Sequence, residues 1–442
     1  MKSKIAQLFL ALAWVRCSQG APAGALDLPL GLDVPAVSTS PPVQAFKATL
    51  PFARRVNAGY SGSASMVQFD QARAQSLRDR AKGKYAGVTS AAEAASLVNA
   101  PATSKVVSYV TEIQIGNNPG TNYSLLIDTG SSNTWAGANM STPYVFSETT
   151  ALTPNAIFVE YGSGFFGGVE VTDQITLAPG LTITGQGIGA AATSQGFDGV
   201  DGILGIGPQD LTCGTLFPGL SECVPTVVDN AYQQGLLEAY EIGISFTPST
   251  VPSEMNGELT FGGIDERKYK GNLNYVNITS TSPANRYVGI EQSVTYGNTE
   301  ILSSTSGIID TGTTLLLMAT DAFSAYKDMT GGIMDNSTGL LKVSQEQYGA
   351  LESLYFNIGG TKYELTPDAQ LWPRSLNEYI GGEAGEYYLV ASDNGAVSGS
   401  GLDFINGMTW LERFYTVYDV GNSRVGFATT SHTHAVSNIR TA

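Results

Sequence analysis

Two stretches of this chain could do the same chemistry: Leu126-Ile127-Asp128-Thr129-Gly130 and Ile308-Ile309-Asp310-Thr311-Gly312. Each closes an apolar run of β type and is followed by small hydroxyl residues. A bare Asp-Thr-Gly arises by chance in roughly one chain of this length in ten, so the pairing carries the information. An apolar run that stops at an acid, a hydroxyl and a glycine reads as a buried strand ending in a tight loop. The glycine there lets the backbone approach something closely. Asp128 and Asp310 are therefore candidates for paired-carboxylate acid–base work, held in rigid and poorly solvated places.

Other chemistries lack residues. Histidine occurs only at His432 and His434, in a polar tail that reads as a frayed terminus, so hydrolases built on a histidine base are disfavoured. Cysteine occurs only at Cys17, Cys213 and Cys223, too few for a zinc cluster, and no metal or organic cofactor is expected. Proton transfer falls to carboxylates, with 39 acids against 23 Lys and Arg.

The elements that must position these acids are strands. Short Val, Ile, Thr, Tyr and Phe runs are broken by Gly, Asn, Ser and Pro, the pattern of an all-β protein, and 442 residues suit two lobes better than one. The body has no apolar run of about 18 residues, so no membrane span is expected. Residues 1–20 carry Lys2 and Lys4, an apolar stretch from Ile5 to Val15, and Ser18-Gln19-Gly20 before Ala21. That is the pattern of a secretory signal peptide, which implies a secreted, extracellular protein. Loss of Cys17 with it leaves Cys213 and Cys223 as an even pair in an oxidising compartment, where a local disulfide is expected and two free buried thiols are the alternative. Sequons stand at Asn122, Asn139, Asn277 and Asn336. Asn122 precedes the run to Asp128, where a glycan would be crowded, so Asn139, Asn277 and Asn336 are preferred.

Charge is unevenly divided. Residues 21–90 hold eight basic residues and four acids, a net of +4, whereas the chain beyond 90 carries −23. A basic leader can bind an acidic body while the carboxylates are ionised and loosen as they protonate, as in an acid-triggered zymogen. A flexible solvated linker is the alternative, since Ala, Gly and Pro crowd residues 21–44. Against that stand the strand-like alternation of Phe46-Lys47-Ala48-Thr49-Leu50 and a helix-like stretch from Asp70 to Lys84, both able to dock. The acidic body disfavours nucleic acid and anionic lipid as partners.

Five motifs stand in one order: Asp128-Thr129-Gly130-Ser131-Ser132-Asn133-Thr134-Trp135, Tyr161-Gly162-Ser163-Gly164, Phe197-Asp198-Gly199-Val200-Asp201-Gly202-Ile203-Leu204-Gly205, Asp310-Thr311-Gly312-Thr313-Thr314, and Asp403-Phe404-Ile405-Asn406-Gly407 with Leu411-Glu412-Arg413-Phe414-Tyr415. In these the chain, from about residue 92 to 430, resembles the pepsin family of aspartic proteases. The resemblance implies a bilobal all-β fold with pseudo-twofold symmetry, and a central cleft floored by Asp128 and Asp310 acting as the catalytic pair. Thr129 and Thr311 would bond across the axis, Gly130 and Gly312 would turn amides to the carboxylates, and Ser131 and Thr313 would donate to their outer oxygens. Tyr161, with Gly162 and Ser163, would sit on a flap and bond the Trp135 indole. Leu126, Tyr161 and Ile203 would form an apolar pocket favouring hydrophobic or aromatic side chains at the scissile bond. Some relatives accept lysine there through an acid in the flap; Ser163 holds that place here, so lysine should fit poorly.

The resemblance also implies that Lys84, in Lys84-Tyr85, plugs the dyad before activation. The implied organisation is a signal peptide at 1–20, an activation propeptide at 21–92 acting as intramolecular inhibitor, and catalytic lobes at 93–280 and 281–442. Protein or peptide substrates and a monomer are expected. Asn406 departs from the aliphatic residue of many relatives, and the family's usual disulfides are missing. Two rivals remain: a non-catalytic binding protein on the same fold, whose mark would be a broken aspartate motif, and a two-carboxylate glycosidase, which gives no reason for the duplicated loops.

Overall fold

The computed structural model describes residues 45–56, 65–81 and 107–438, apart from 118, 140 and 163. The signal-peptide stretch, Cys17, Lys84 and Ser163 lie outside these residues. Strands dominate, gathered into sheets of fourteen, seven and three strands among the described residues.

The alternation at 46–50 is realised as β1 (Ala48–Val56), in which Ala48, Leu50 and Phe52 are buried while Thr49 and Pro51 are exposed. β1 lies between β2 (Val107–Ile115) and the strand Ser253–Phe261, antiparallel to both. Phe52 packs 4.7 Å from the Phe246 ring and 5.6 Å from Tyr109, and burying such a ring contributes about 1.5–3 kcal/mol. Arg54, buried on the same strand, donates to the Ser249 carbonyl at 2.6 Å and lies 5.2 Å over the Trp372 ring. The helix-like stretch is realised as α1 (Ser65–Ala81), starting five residues earlier than the sequence pattern suggests; residues 82–84 lie outside the described residues.

Both acids sit at ends of strands with matching surroundings. β3 (Thr121–Asp128) runs parallel to Gly202–Gly205, which pairs antiparallel with Trp135–Ala136, which pairs parallel with Leu181–Gln195. The strand Thr299–Ile309, ending just before Asp310, runs parallel to Phe404–Asn406, which pairs antiparallel with Leu316–Met318, which pairs parallel with Ala391–Asp393. The same order of directions in two halves of one chain is the pseudo-twofold expected of a bilobal all-β fold. Strands Glu241–Phe246 and Lys270–Asn277 pair with Phe414–Asp419 and Arg424–Thr429, so the largest sheet is shared by distant parts of the chain.

Two local expectations change. The tail is docked rather than frayed: Asp368 accepts from the Ser437 and Asn438 amides, and Arg413 donates to the Ala435 carbonyl at 2.6 Å. Asn122 is exposed, as are Asn139, Asn277 and Asn336, so the crowding held against it is absent. Asn406 faces Gln292, and the two amides exchange hydrogen bonds of 2.9 and 3.2 Å, which satisfies a polar pair where aliphatics were the norm. The disulfide Cys213–Cys223 forms as expected.

Candidate active site

Asp128 and Asp310 are both fully buried and meet across the pseudo-twofold axis. The threonines fix the two loops reciprocally. The Thr129 amide donates to Thr311 Oγ1 at 2.9 Å and the Thr311 amide to Thr129 Oγ1 at 3.0 Å, while each hydroxyl donates to the carbonyl two residues before the opposite threonine, Ile309 or Ile127, at 3.1 Å. The amide and the hydroxyl of each threonine are thereby paired within the protein.

Each carboxylate is held by its own loop. Asp128 accepts from the Gly130 amide at 3.0 Å and the Ser131 hydroxyl at 2.5 Å; Asp310 accepts from the Gly312 amide at 2.9 Å and the Thr313 hydroxyl at 2.6 Å. Glycine is required here by close approach: a Cβ on Gly312 would stand 2.5 Å from Asp128 Oδ1, and one on Gly130 2.7 Å from Asp310 Oδ1.

A cation lies between the acids. Arg73 of α1 donates through Nη2 to Asp128 Oδ1 at 2.5 Å and Asp310 Oδ1 at 3.0 Å, and through Nε to Asp310 Oδ2 at 2.7 Å. Its side chain is 6 % exposed. Burial alone would push the Asp310 carboxyl up, but the charge and hydrogen bonds of Arg73, with Thr313 and the Gly312 amide, hold it below the ordinary value. Burial likewise opposes the Arg73 charge, and the two carboxylates override it and push its pKa further up.

The expectation that Lys84 fills this place needs correction. Lys84 lies outside the described residues, and the space between the carboxylates is taken by the Arg73 guanidinium. Asp70 sets the register, since its carboxylate accepts from the Leu315 amide at 2.8 Å and the Thr314 amide at 3.1 Å, placing Arg73 one turn later over the dyad. A signal for this existed. Asp70 and Arg73 share a helix face with Met66, Ala74 and Leu77, all buried, and an ionisable pair three apart on an apolar face needs partners.

The flap expectation finds its geometry. Trp135 Nε1 donates to the Tyr161 hydroxyl at 2.9 Å, and Phe166 stacks on the indole at 4.2 Å. Gly162 takes φ +77°, and a Cβ there would lie 2.5 Å from the Ala72 carbonyl of α1. Leu126, Tyr161 and Ile203 share one apolar cluster with Trp135 and Phe166. Leu126 also lines a cavity of about 210 Å³ together with Phe69, Phe197 and Val200.

Family comparison agrees with this geometry. The eukaryotic aspartyl proteases, as a family, match residues 108–430. The chain belongs to the pepsin family of aspartic proteases. Polyporopepsin of Irpex lacteus is 55% identical over 339 residues, which is 76% of this chain and 98% of that protein. Gastricsin of Cavia porcellus is 30% identical over 359 residues, 73% of this chain and 80% of that one. The crystal structure of aspartic proteinase from Irpex lacteus matches with a TM-score of 0.75 at 47% identity, covering 89% of this chain and 100% of that chain.

This aspartic protease is an endopeptidase, and its chemistry follows from the pair. In aspartic-protease dyads generally, two carboxylates facing one site with no cation between them cannot both ionise comfortably and share a proton. In such proteases generally, the ionised partner takes a proton from an attacking water; the protonated partner stabilises the carbonyl oxygen and then helps protonate the leaving amine.

Proposed function

We propose that this aspartic endopeptidase is secreted as a zymogen and hydrolyses peptide bonds at acid pH, with hydrophobic or aromatic residues favoured around the scissile bond. Asp128 and Asp310 are the catalytic pair, Tyr161 the flap residue, and the segment up to about residue 92 the inhibitor of its own cleft. The observation that carries this reading is Arg73 lodged between the two carboxylates at 2.5 and 2.7 Å. A cation there occupies the place of the attacking water, and α1 around it fills the space a substrate needs. The apolar cluster of Leu126, Tyr161 and Ile203 supports the hydrophobic preference. Secretion is supported by the leader's pattern and by a disulfide. Among the described residues no helix is long and apolar enough to cross a membrane.

The test is hydrolysis of denatured haemoglobin between about pH 2 and 7, the span in which carboxylate pairs titrate, after acid incubation and with or without pepstatin. Pepstatin-sensitive cleavage confined to acid pH, and lost in Asp128→Asn and Asp310→Asn, is expected. A folded, processed protein that cleaves nothing would move the reading to a binding protein on this fold.

A further inference from the structure

The dyad accounts for Arg73 but leaves Arg80, two turns further along α1, without a reason. α1 traverses the cleft with Phe69 in the cavity shared with Leu126 and Phe197, and with Leu77 and Arg80 on the other side, toward Gly130 and the flap. Glu160 stands there, the last residue of the strand Ala151–Glu160 and the neighbour of Tyr161. It lines one small cavity with Arg73, Leu77, Arg80, Gly130 and Tyr161. The Arg80 guanidinium donates to the Glu160 carbonyl at 2.9 Å and lies 5.9 Å over the Tyr161 ring. Glu160 itself is half-buried; burial pushes its acid up and the Arg80 charge opposes this.

Among the described residues, the cations lining this cavity are Arg73 and Arg80, both of α1. Departure of α1 therefore removes these two positive charges from the neighbourhood of a carboxylate beside the dyad, and such a group gains by acquiring one. The face of Tyr161 that Arg80 lies over adds a second attraction for a cation. Resting on the protease reading above, we propose that Glu160 makes the mature cleft select an arginine or lysine side chain at the substrate position between the flap tyrosine and Gly130. Arg80 holds that position in the uncleaved chain. The preference is separate from the apolar pocket at Leu126 and Ile203, so a hydrophobic residue at the scissile bond and a basic one nearby are compatible demands.

Glu160 must be ionised to act. The groups facing it are Arg73 and Arg80 from α1, absent after processing, Tyr161 from the flap, which burial pushes well above the working range, and the dyad beyond Gly130. Dyad titration also changes the charge that a lysine side chain meets, so Glu160→Gln, which keeps the dyad, supplies the reference ratio at each pH.

The experiment uses acid-processed enzyme and a peptide with two phenylalanines at the cleaved bond, each flanking position changed in turn to lysine or to its uncharged analogue norleucine. The lysine-to-norleucine ratio of kcat/KM is read at about pH 5.5 and about pH 3, on either side of the ordinary glutamate value. One position should show a ratio of about tenfold at the higher pH, the scale of a charge-assisted hydrogen bond, falling to near one at the lower pH. In Glu160→Gln that ratio should be near one at both. Ratios that are equal in the two enzymes, or unchanged between the two pH values in the wild type, overturn the proposal. Should Glu160→Gln fail to fold, Glu160→Ala read in the same way supplies the reference. Processed enzyme that cleaves no peptide of the series overturns the protease reading and this proposal with it.

Discussion

Arginine between the acids has a consequence that lysine would not. Its guanidinium keeps its proton throughout any working pH and forks to both carboxylates, so release of α1 has to come from the acids. The sign follows from Asp310, whose pKa with α1 docked lies below the ordinary 3.8. A depressed carboxylate stabilises the docked state above about pH 4, and that stability is lost as pH falls through the lowered value. Arg73→Met removes the cation and leaves two buried carboxylates facing each other, a change of about 3–5 kcal/mol in docking. The pH midpoint of self-processing should move up toward neutrality, and an unchanged midpoint would count against Arg73 as the plug. The dyad was legible from sequence because its phrase is duplicated and each acid ends an apolar run. Arg73 was legible only in part: its apolar helix face signals that it needs partners, but those partners lie 55 and 237 residues away.

Elements carry the site through a few close approaches. The flap tip meets α1 at Gly162, whose positive φ and 2.5 Å clearance to the Ala72 carbonyl admit no side chain. Gly162→Ala should introduce about 1–3 kcal/mol of strain, lower turnover on peptide substrates, and shift self-processing to less acid pH because α1 is pushed from the flap. The loop closed by Cys213–Cys223 contains Leu216–Phe217, which pairs with Ala156 and Ile157 on the strand that ends at Glu160. Replacing both cysteines by alanine should lower unfolding stability by about 3 kcal/mol at most, measured by denaturant titration, and leave pepstatin-sensitive turnover in place. At this scale β1 was readable, since its alternation of buried and exposed positions is local. The start of α1 was not: Met66 and Val67 dock on residues far along the chain, among them Val107 and Leu402.

On the scale of the whole molecule, opposite charge and shared sheet act together. The net +4 of residues 21–90 against −23 beyond draws the segment to the body, while β1 is built into the largest sheet. The bilobal plan could be inferred from two copies of one motif. That the leader would be a member of the sheet, with a strand on each side of it, could not, because pairing across some 200 residues leaves no periodic trace.

β1 lies between β2 and Ser253–Phe261. On the proposed zymogen reading, a chain that folds around this strand and then has it cut from the rest carries its folding instructions only once. Enzyme denatured after processing should therefore fail to regain activity on dilution, whereas the uncut chain denatured near neutral pH should recover it. The working lifetime of the processed protein would then be set by the height of its unfolding barrier, not by any balance between folded and unfolded states.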